Sequence, residues 1–373
     1  MKNDPIKLSQ NGKIEITSKV KVTAENLAQI YTPGVAQVVT QVMTKSDKVY
    51  DLTWKKNVIA IVSDGSAILG LGNQGAEAAL PVMEAKAVLF KELGGVNAVP
   101  LVLNTQDPQE IISIIKALEP SFGGINIEDI AAPNCFIIKE ALKKQLKIPV
   151  FHDDQYGTAI VVLAGLINAA KVVKKDLKRL KIIISGAGAA GIATAKMLGK
   201  YGCQNIILFD SQGALWEDRP DMNFYKKRIA HKTNPGRFKG DLKEALGGAD
   251  VFIGLSKGNL LSQFDIEKMN SNAIVFGLAN PVPEIMPEEA HQGGAAVVAT
   301  GRSDFPNQIN NALVFPGIFR GALETRTVQI TDAIKLQAAK ALAATVPNPT
   351  AKKIIPEVMD MQAVEAISGV FGG

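Results

Sequence analysis

The sequence predicts an α/β chain with two domains, each built on a parallel sheet. Three observations lead to that fold class. Short apolar runs alternate with amphipathic segments of helical period from Val58 to Asp153, and strand–helix–strand crossovers make neighbouring strands parallel. A second alternation starts at Lys181-Ile182-Ile183-Ile184-Ser185 and opens on a glycine-rich turn. At 373 residues the chain exceeds what one core normally serves.

Residues 1–53 read as an N-terminal arm and helix. Lys13-Ile14-Glu15-Ile16 alternates like a strand, and residues 24–30 read as a short helix that stops before Pro33, leaving Tyr31 at a helix-to-loop junction. Taken alone, Tyr31 is a packing residue with its hydroxyl at the surface. Residues 54–153 form the first domain, with strands at 58–62, 100–103, 124–127 and 148–151 and helices at 76–93, 108–118 and 133–146. Between Asp64 and Gly75 four glycines allow sharp turns or close approach of a ligand. Lys86 has only apolar helix neighbours, Val82, Met83, Leu89 and Phe90, so it either snorkels outward or is buried with a depressed pKa. A helix at 157–171 leads into the second domain, 154–310, whose further strands fall at 206–209, 251–254, 274–277 and 296–299. Residues 311–373 read as helices that pack back on the first domain.

Apolar residues make up 47% and charged residues 21%, which excludes a disordered chain. The net charge of +5 comes from scattered clusters such as Lys143-Lys144 and Lys226-Lys227-Arg228. No aromatic residues interleave with them, so they read as solvated helix faces and no nucleic-acid partner is expected. The N-terminal residues lack the apolar core of a signal peptide, and the longest apolar stretch, 159–170, is too short to cross a bilayer. Cys135 and Cys203 have neither metal-ligand spacing nor a disulfide framework. A cytoplasmic protein with no membrane partner is the expectation.

Two features carry chemistry. The strands at 124–127 and 148–151 are each followed by a carboxylate pair, Glu128-Asp129 and Asp153-Asp154. Parallel strands about 4.8 Å apart deliver both pairs to one sheet edge. Acids that close repel one another unless a hard divalent cation, Mg²⁺ or Mn²⁺, compensates; the other reading makes Glu128 and Asp153 helix caps and loop charges. The second feature is Gly186-Ala187-Gly188-Ala189-Ala190-Gly191, which follows a strand, opens a helix and precedes a strand ending in Asp210. That is the dinucleotide-binding fingerprint of a Rossmann domain, with glycines for the pyrophosphate and an acid for the adenosine ribose. Asp210 favours NAD⁺ modestly, while Ser211 and Gln212 leave room for NADP⁺. A hard-metal site facing a dinucleotide site suits oxidation of a hydroxy acid, with a lysine as base and a tyrosine as acid.

Several stretches together resemble the malic enzymes, and most closely their short bacterial form. They are Tyr31-Thr32-Pro33-Gly34-Val35-Ala36, Ser63-Asp64-Gly65, Leu69-Gly70-Leu71-Gly72-Asn73, Val82-Met83-Glu84-Ala85-Lys86, Asn126-Ile127-Glu128-Asp129-Ile130, and the run from Phe151 to Ala159. Leu278-Ala279-Asn280-Pro281 and Asn310-Asn311 extend the likeness over essentially the whole chain. The resemblance implies oxidative decarboxylation of (S)-malate to pyruvate and CO₂ with NAD⁺ or NADP⁺ and Mg²⁺ or Mn²⁺, carried out by a homodimer. It implies Glu128, Asp129 and Asp154 as metal ligands, with Asp153 as an adjacent support. Lys86 matches the base for the malate hydroxyl, and Tyr31 the acid that protonates the enolpyruvate carbon. Asn280 and Asn311 match positions that hold malate and the nicotinamide end of the cofactor.

The chain departs from larger members at Ser66-Ala67, where they carry an arginine that grips a substrate carboxylate. A phosphotransacetylase-like extension of the kind some bacterial members carry is not expected. Two rival readings remain at this level: a malolactic-type enzyme that keeps NAD bound and releases lactate, and a non-catalytic dinucleotide-sensing protein.

Overall fold

Every residue of β1 (Val58–Ser63) is buried, as expected of an apolar run covered on both faces. The computed structural model describes residues 4–68 and 70–372; Met1 to Asn3, Leu69 of the glycine loop and Gly373 lie outside the described residues. With β2 (Asn97–Val102), β3 (Gly124–Ile127) and β4 (Val150–His152), β1 makes a parallel sheet in the order β2-β1-β3-β4. The crossover helices are α1 (Ala76–Gly94), α2 (Pro108–Leu118) and α3 (Asn134–Gln145). α2 starts where expected because Asp107 accepts a hydrogen bond from the Gln109 N–H and Pro108 fills the first helical position.

The next helix, α4 (Asp153–Val172), begins four residues earlier than Gly157, the expected start. Asp153 and Asp154 are therefore its first turn, where negative charge complements the free N–H groups. Glycine at 157 suggests a boundary; here it is a helical residue beside the Asp153 carboxylate. At 20 residues α4 is long and apolar enough to cross a membrane, yet 72% of its apolar window is buried inside the protein. Its buried Asn168 donates to the carbonyls of Ala343 and Ile354, tying the C-terminal segment to this central helix.

The second sheet is formed by β5 (Lys181–Ser185), β6 (Asn205–Asp210), β7 (Gly213–Ala214), β8 (Val251–Gly254), β9 (Ala273–Gly277) and β10 (Ala295–Thr300), in the order β10-β9-β8-β5-β6-β7. All pairings are parallel except that of β7, which folds back on the end of β6. Helix α5 (Ala189–Tyr201) comes after β5, α6 (Phe224–Ala230) after β7, and α7 (Phe315–Thr325) after β10. α7 lies against the first domain, with Phe315 and Phe319 rings 4.6 and 5.4 Å from the Phe90 ring of α1. One apolar cluster runs from the first sheet through α4 to one face of the second sheet.

The N-terminal segment differs from expectation. Residues 13–16 pair with no strand, and the short helix covers Leu27–Ile30 only. A further helix, Val35–Thr44, follows without a buried residue. Strand alternation at 13–16 had no sheet edge to join, and local pattern alone cannot supply one.

Candidate active site

Ile127 at the end of β3 pairs with His152 at the end of β4. The residues that follow each strand therefore leave the sheet at the same edge. Asp129 turns the chain there with a left-handed backbone (φ 50°), a conformation that a short polar side chain tolerates. Its N–H donates to Asp154 Oδ2 at 3.0 Å, and its carbonyl accepts from the Ala67 N–H at 3.0 Å. Glu128, Asp129 and Asp154 each present a carboxylate oxygen, and these atoms lie within 4.8 Å of one another.

Lys86 projects from α1 into this cluster. Its Nζ lies 2.5 Å from Glu128 Oε1 and 2.5 Å from Asp153 Oδ2, and 4.4 Å from the centre of the Phe315 ring. The side chain is buried, 7% exposed, so it does not snorkel. The expected depression of its pKa is corrected: burial lowers it, but Asp153 and Glu128 outweigh burial and hold the ammonium above its ordinary value. The same burial pushes Glu128 well above the usual carboxylate range and Asp153 up to about 6, against the pull of Lys86. Asp154 goes the other way. Burial raises it, but His152, whose Nε2 lies 3.3 Å from Asp154 Oδ2, and Lys86 bring it down.

Several buried oxygens here, Asp153 Oδ1, Asn126 Oδ1 and Asp64 Oδ2, have no hydrogen-bond partner among the described residues. Orphaned acceptors beside three convergent carboxylates are the donor set a hard, oxygen-preferring cation requires, so the residues present fit Mg²⁺ or Mn²⁺.

The glycine turn also fits its cofactor. Gly186 adopts φ +111°, and a Cβ there would run into the Leu255 carbonyl after β8; one on Gly191 would overlap the Gly186 carbonyl. A Cβ on Gly188 would meet nothing within 4 Å. The turn thus packs tightly on its inner side and is open on its outer side, beside the N-terminus of α5, where a pyrophosphate lies in such folds. Asp210 is less open. It accepts from Arg219 Nη1 and Nη2 (2.9 and 2.5 Å), from Lys226 Nζ (2.6 Å) and from the Gln212 N–H (2.9 Å). Burial would raise its pKa, but the bonds from Arg219 and Lys226 outweigh burial and hold it at about 2.

Asn311 lies beside Asp153, and Asn280 lies beside the glycine loop of the first domain. A Cβ on Gly157 would meet Asp153 Oδ1 and Asn311 Cβ, and a Cβ on Gly70 of the first domain would meet the Asn280 carbonyl. Tyr31 is not brought in: it is 69% exposed and is not among the partners of Lys86. Four further contributors escaped the sequence reading. Asn126 donates to Glu128 Oε2 at 3.0 Å; the two-residue period of a strand places them on one face and was the available signal. His152 stands beside Asp154, and Arg219 and Lys226 reach Asp210 from 9 and 16 residues away with no spacing to announce them. Ser66, at the position of the missing arginine, donates to Asp64 Oδ1 at 2.6 Å and accepts from the Ala131 N–H at 2.8 Å, which ties the two loops of the site together.

Gly157→Ala tests how closely Asp153 is confined. The added methyl would displace the carboxylate that holds Lys86, and a misplacement of about 1 Å at reacting groups costs roughly 10²-fold. We expect kcat to fall by about that factor with the melting temperature little changed. A kcat equal to that of the unsubstituted chain would show that Asp153 has slack.

Residues 10–143 match the family description "Malic enzyme, N-terminal domain", and residues 155–369 match "Malic enzyme, NAD binding domain". The chain is 52% identical over 361 residues to a bifunctional malic/malolactic enzyme of Bacillus subtilis, covering 96% of this chain and 88% of the relative. It is 44% identical over 354 residues to an NADP-dependent malic enzyme of Halomonas elongata, covering 94% and 82%. Among solved structures, it is similar to an NAD-dependent malic enzyme of Thermotoga maritima, with a TM-score of 0.96 at 47% identity over 100% of this chain and 99% of that one.

Proposed function

The chain belongs to the malic enzyme family, and from that premise we propose that it oxidatively decarboxylates (S)-malate to pyruvate and CO₂ with reduction of NAD⁺ or NADP⁺. The observation that carries this reading is the cluster of buried Glu128 and Asp129 and half-buried Asp154 with buried Lys86 against it, beside Asn311 and below the glycine loop whose Gly70 meets Asn280. Glu128, Asp129 and Asp154 would hold a Mg²⁺ or Mn²⁺ that would supply polarisation of the malate hydroxyl and carboxylate, and the turn from Gly186 to Gly191 would hold the cofactor that would supply the hydride acceptor.

This chain's own residues divide the remaining work. Lys86 accepts the hydroxyl proton after passing its own to Asp153 Oδ2, to which it is hydrogen-bonded. Engagement of Glu128 elsewhere removes one of the three carboxylate charges, those of Asp153, Glu128 and Asp154, that keep it protonated and lets burial act. Asp153 fixes the direction of the Lys86 side chain. Asn280 and Asn311 orient malate, and Tyr31 returns a proton to the enolpyruvate carbon. Asn126 steadies Glu128. Formation of NAD(P)H on adding malate and Mg²⁺ is the direct assay; absence of malate-dependent turnover with either cofactor would defeat the reading. The B. subtilis relative, a bifunctional malic/malolactic enzyme, supports a second reaction. Lactate formed from malate without free NADH would show that it prevails here.

The preference for NAD⁺ is modest because Arg219 and Lys226 already neutralise Asp210. We expect kcat/KM values for NAD⁺ and NADP⁺ within about tenfold of each other, a difference of roughly 1.4 kcal/mol. Arg219→Gln exposes the Asp210 charge and should widen the gap in favour of NAD⁺. An unchanged ratio would mean that Asp210 does not face the ribose.

The functional form is a homodimer. Ile16, Val22, Leu27, Val39 and Met43 are exposed on the N-terminal segment along with Tyr31. An apolar strip of that kind is what a single chain leaves bare when a partner covers it, and Tyr31 acts from within that interface. Light scattering at working concentration that returns the mass of one chain would exclude it. A cytoplasmic location accords with Cys135 and Cys203, both buried and free.

A further inference from the structure

A cavity of about 680 Å³ opens between α5, α6 and the helix α8 (Asp332–Ala344), and shares no lining residue with the carboxylate cluster or the glycine turn. Its wall carries Lys196, Lys200, Arg228, Lys232 and Lys335 against two carboxylates, Glu140 and Asp332. Asp332 is shared between Lys200 (2.5 Å) and Lys335 (2.7 Å). Among the described residues, Lys196, Arg228 and Lys232 make no ion pair. Cations on exposed helix faces are ordinary, but two lysines here are not exposed. Lys335 is 4% exposed, and Lys139, just behind the wall, is 6% exposed. Their Nζ atoms lie 3.6 and 4.7 Å from the centre of the Tyr156 ring, which itself lines the cavity. Burial, ahead of the Lys335 and Lys196 charges, lowers Lys139 to about 7, and burial against the pull of Asp332 lowers Lys335 to about 8. Lys335 is paired with Asp332 and Lys139 donates to Gln155 Oε1 at 2.8 Å, yet the wall as a whole sets five cations against two carboxylates, an excess that a bound anion would compensate.

We propose that this cavity is an effector site for a phosphorylated small molecule bearing at least two negative charges. Its volume is in the range of small-molecule pockets. Lys196 and Lys200 are four residues apart on α5, and Arg228 and Lys232 have the same spacing across the end of α6. Two cation pairs suit two anionic groups, while Ala195, Ile229 and Leu336 offer apolar wall to the carbon skeleton between them. The occupant lies against Tyr156, two residues after Asp154 on α4, and so bears on the helix turn that carries Asp153 and Asp154. The effector role rests on the malate reading; binding at this cavity does not.

The test is calorimetric titration of a hexose 1,6-bisphosphate into the full chain saturated with NAD⁺, so that the glycine turn is already filled. Inorganic phosphate, the free hexose and succinate serve as comparison arms. One site per chain is expected for the bisphosphate, weaker binding for inorganic phosphate and none for the hexose. The doubly substituted Arg228→Gln, Lys232→Gln chain should bind it at least about tenfold more weakly. Both residues are exposed, so the fold should survive. In the unsubstituted enzyme the bisphosphate should shift the malate KM or kcat, and in the variant it should not, with basal turnover unaltered. No binding, or equal affinity in the variant, overturns the site. Succinate binding as tightly as the bisphosphate overturns the phosphate class. Binding that leaves malate kinetics unmoved overturns the effector role. If malate turnover is absent altogether, the activity reading fails while the titration still decides the site.

Discussion

Lys86→Ala should lower kcat/KM for malate by about 10²–10⁴-fold, the range a positioned general base contributes. Among the described residues no other amine stands against the carboxylate cluster, and His152 is fully buried and faces Asp154. The substitution also leaves Glu128 and Asp153 buried without their cation. Breaking a buried pair in this way commonly costs about 3–5 kcal/mol, so the melting transition must be recorded first. The two carboxyls are already displaced upward by burial and take up protons readily, which keeps the folded state accessible. The partial reaction separates loss of the base from general damage. Oxaloacetate supplied with metal bypasses the oxidation, so Lys86→Ala should keep more of its relative activity on oxaloacetate than on malate. Tyr31→Phe should slow turnover by a comparable factor with little change in malate affinity, because it acts after substrate is bound. Equal losses on both substrates in both variants would mean that the two residues act as one unit, and the division of labour drawn here would be wrong.

Glu128→Ala and Asp154→Ala should each abolish metal-supported turnover. Loss of an outer-shell partner alone typically costs about 10–100-fold in metal affinity, and removal of a direct oxygen donor should exceed about 10²-fold. Mn²⁺ titration gives this number without the reaction. The two positions are not equivalent. Asp154 also accepts the Asp129 N–H at 3.0 Å, so Asp154→Ala releases the turn that aims Asp129, whereas Asp154→Asn keeps the acceptor. Asp154→Asn should therefore retain more stability than Asp154→Ala and still bind Mn²⁺ weakly. Undiminished turnover in excess chelator, or Mn²⁺ affinity unchanged in both variants, would remove the metal from this site.

Much of this site was legible in one dimension because its parts obey local rules. A strand, a glycine turn and a helix in that order can be read from residue type and spacing, and so can two carboxylate pairs at the ends of two parallel strands. Lys86 was half legible. Its apolar neighbours left open whether it snorkels outward or is buried, and its charge state depends on Asp153 and Glu128, 67 and 42 residues away. Gly157 was misread as a helix start because glycine marks boundaries more often than interiors. Here the missing side chain makes room for Asp153 inside the helix.

The sequence by itself determined the α/β class, the order of the strands along the chain, the edge at which the four acids emerge and the identity of the glycine turn. All of these follow from backbone periodicity and short-range sterics. Only the tertiary structure decided that Lys86 is a buried, charged partner of Glu128 and Asp153, that Arg219 and Lys226 neutralise Asp210, and that Tyr31 is exposed on the single chain and is not among the partners of Lys86. It also gathered five cations from three separate segments around one cavity. Electrostatic environment depends on distances between residues far apart in the chain and on the water excluded between them, and those quantities come into being only when the elements pack.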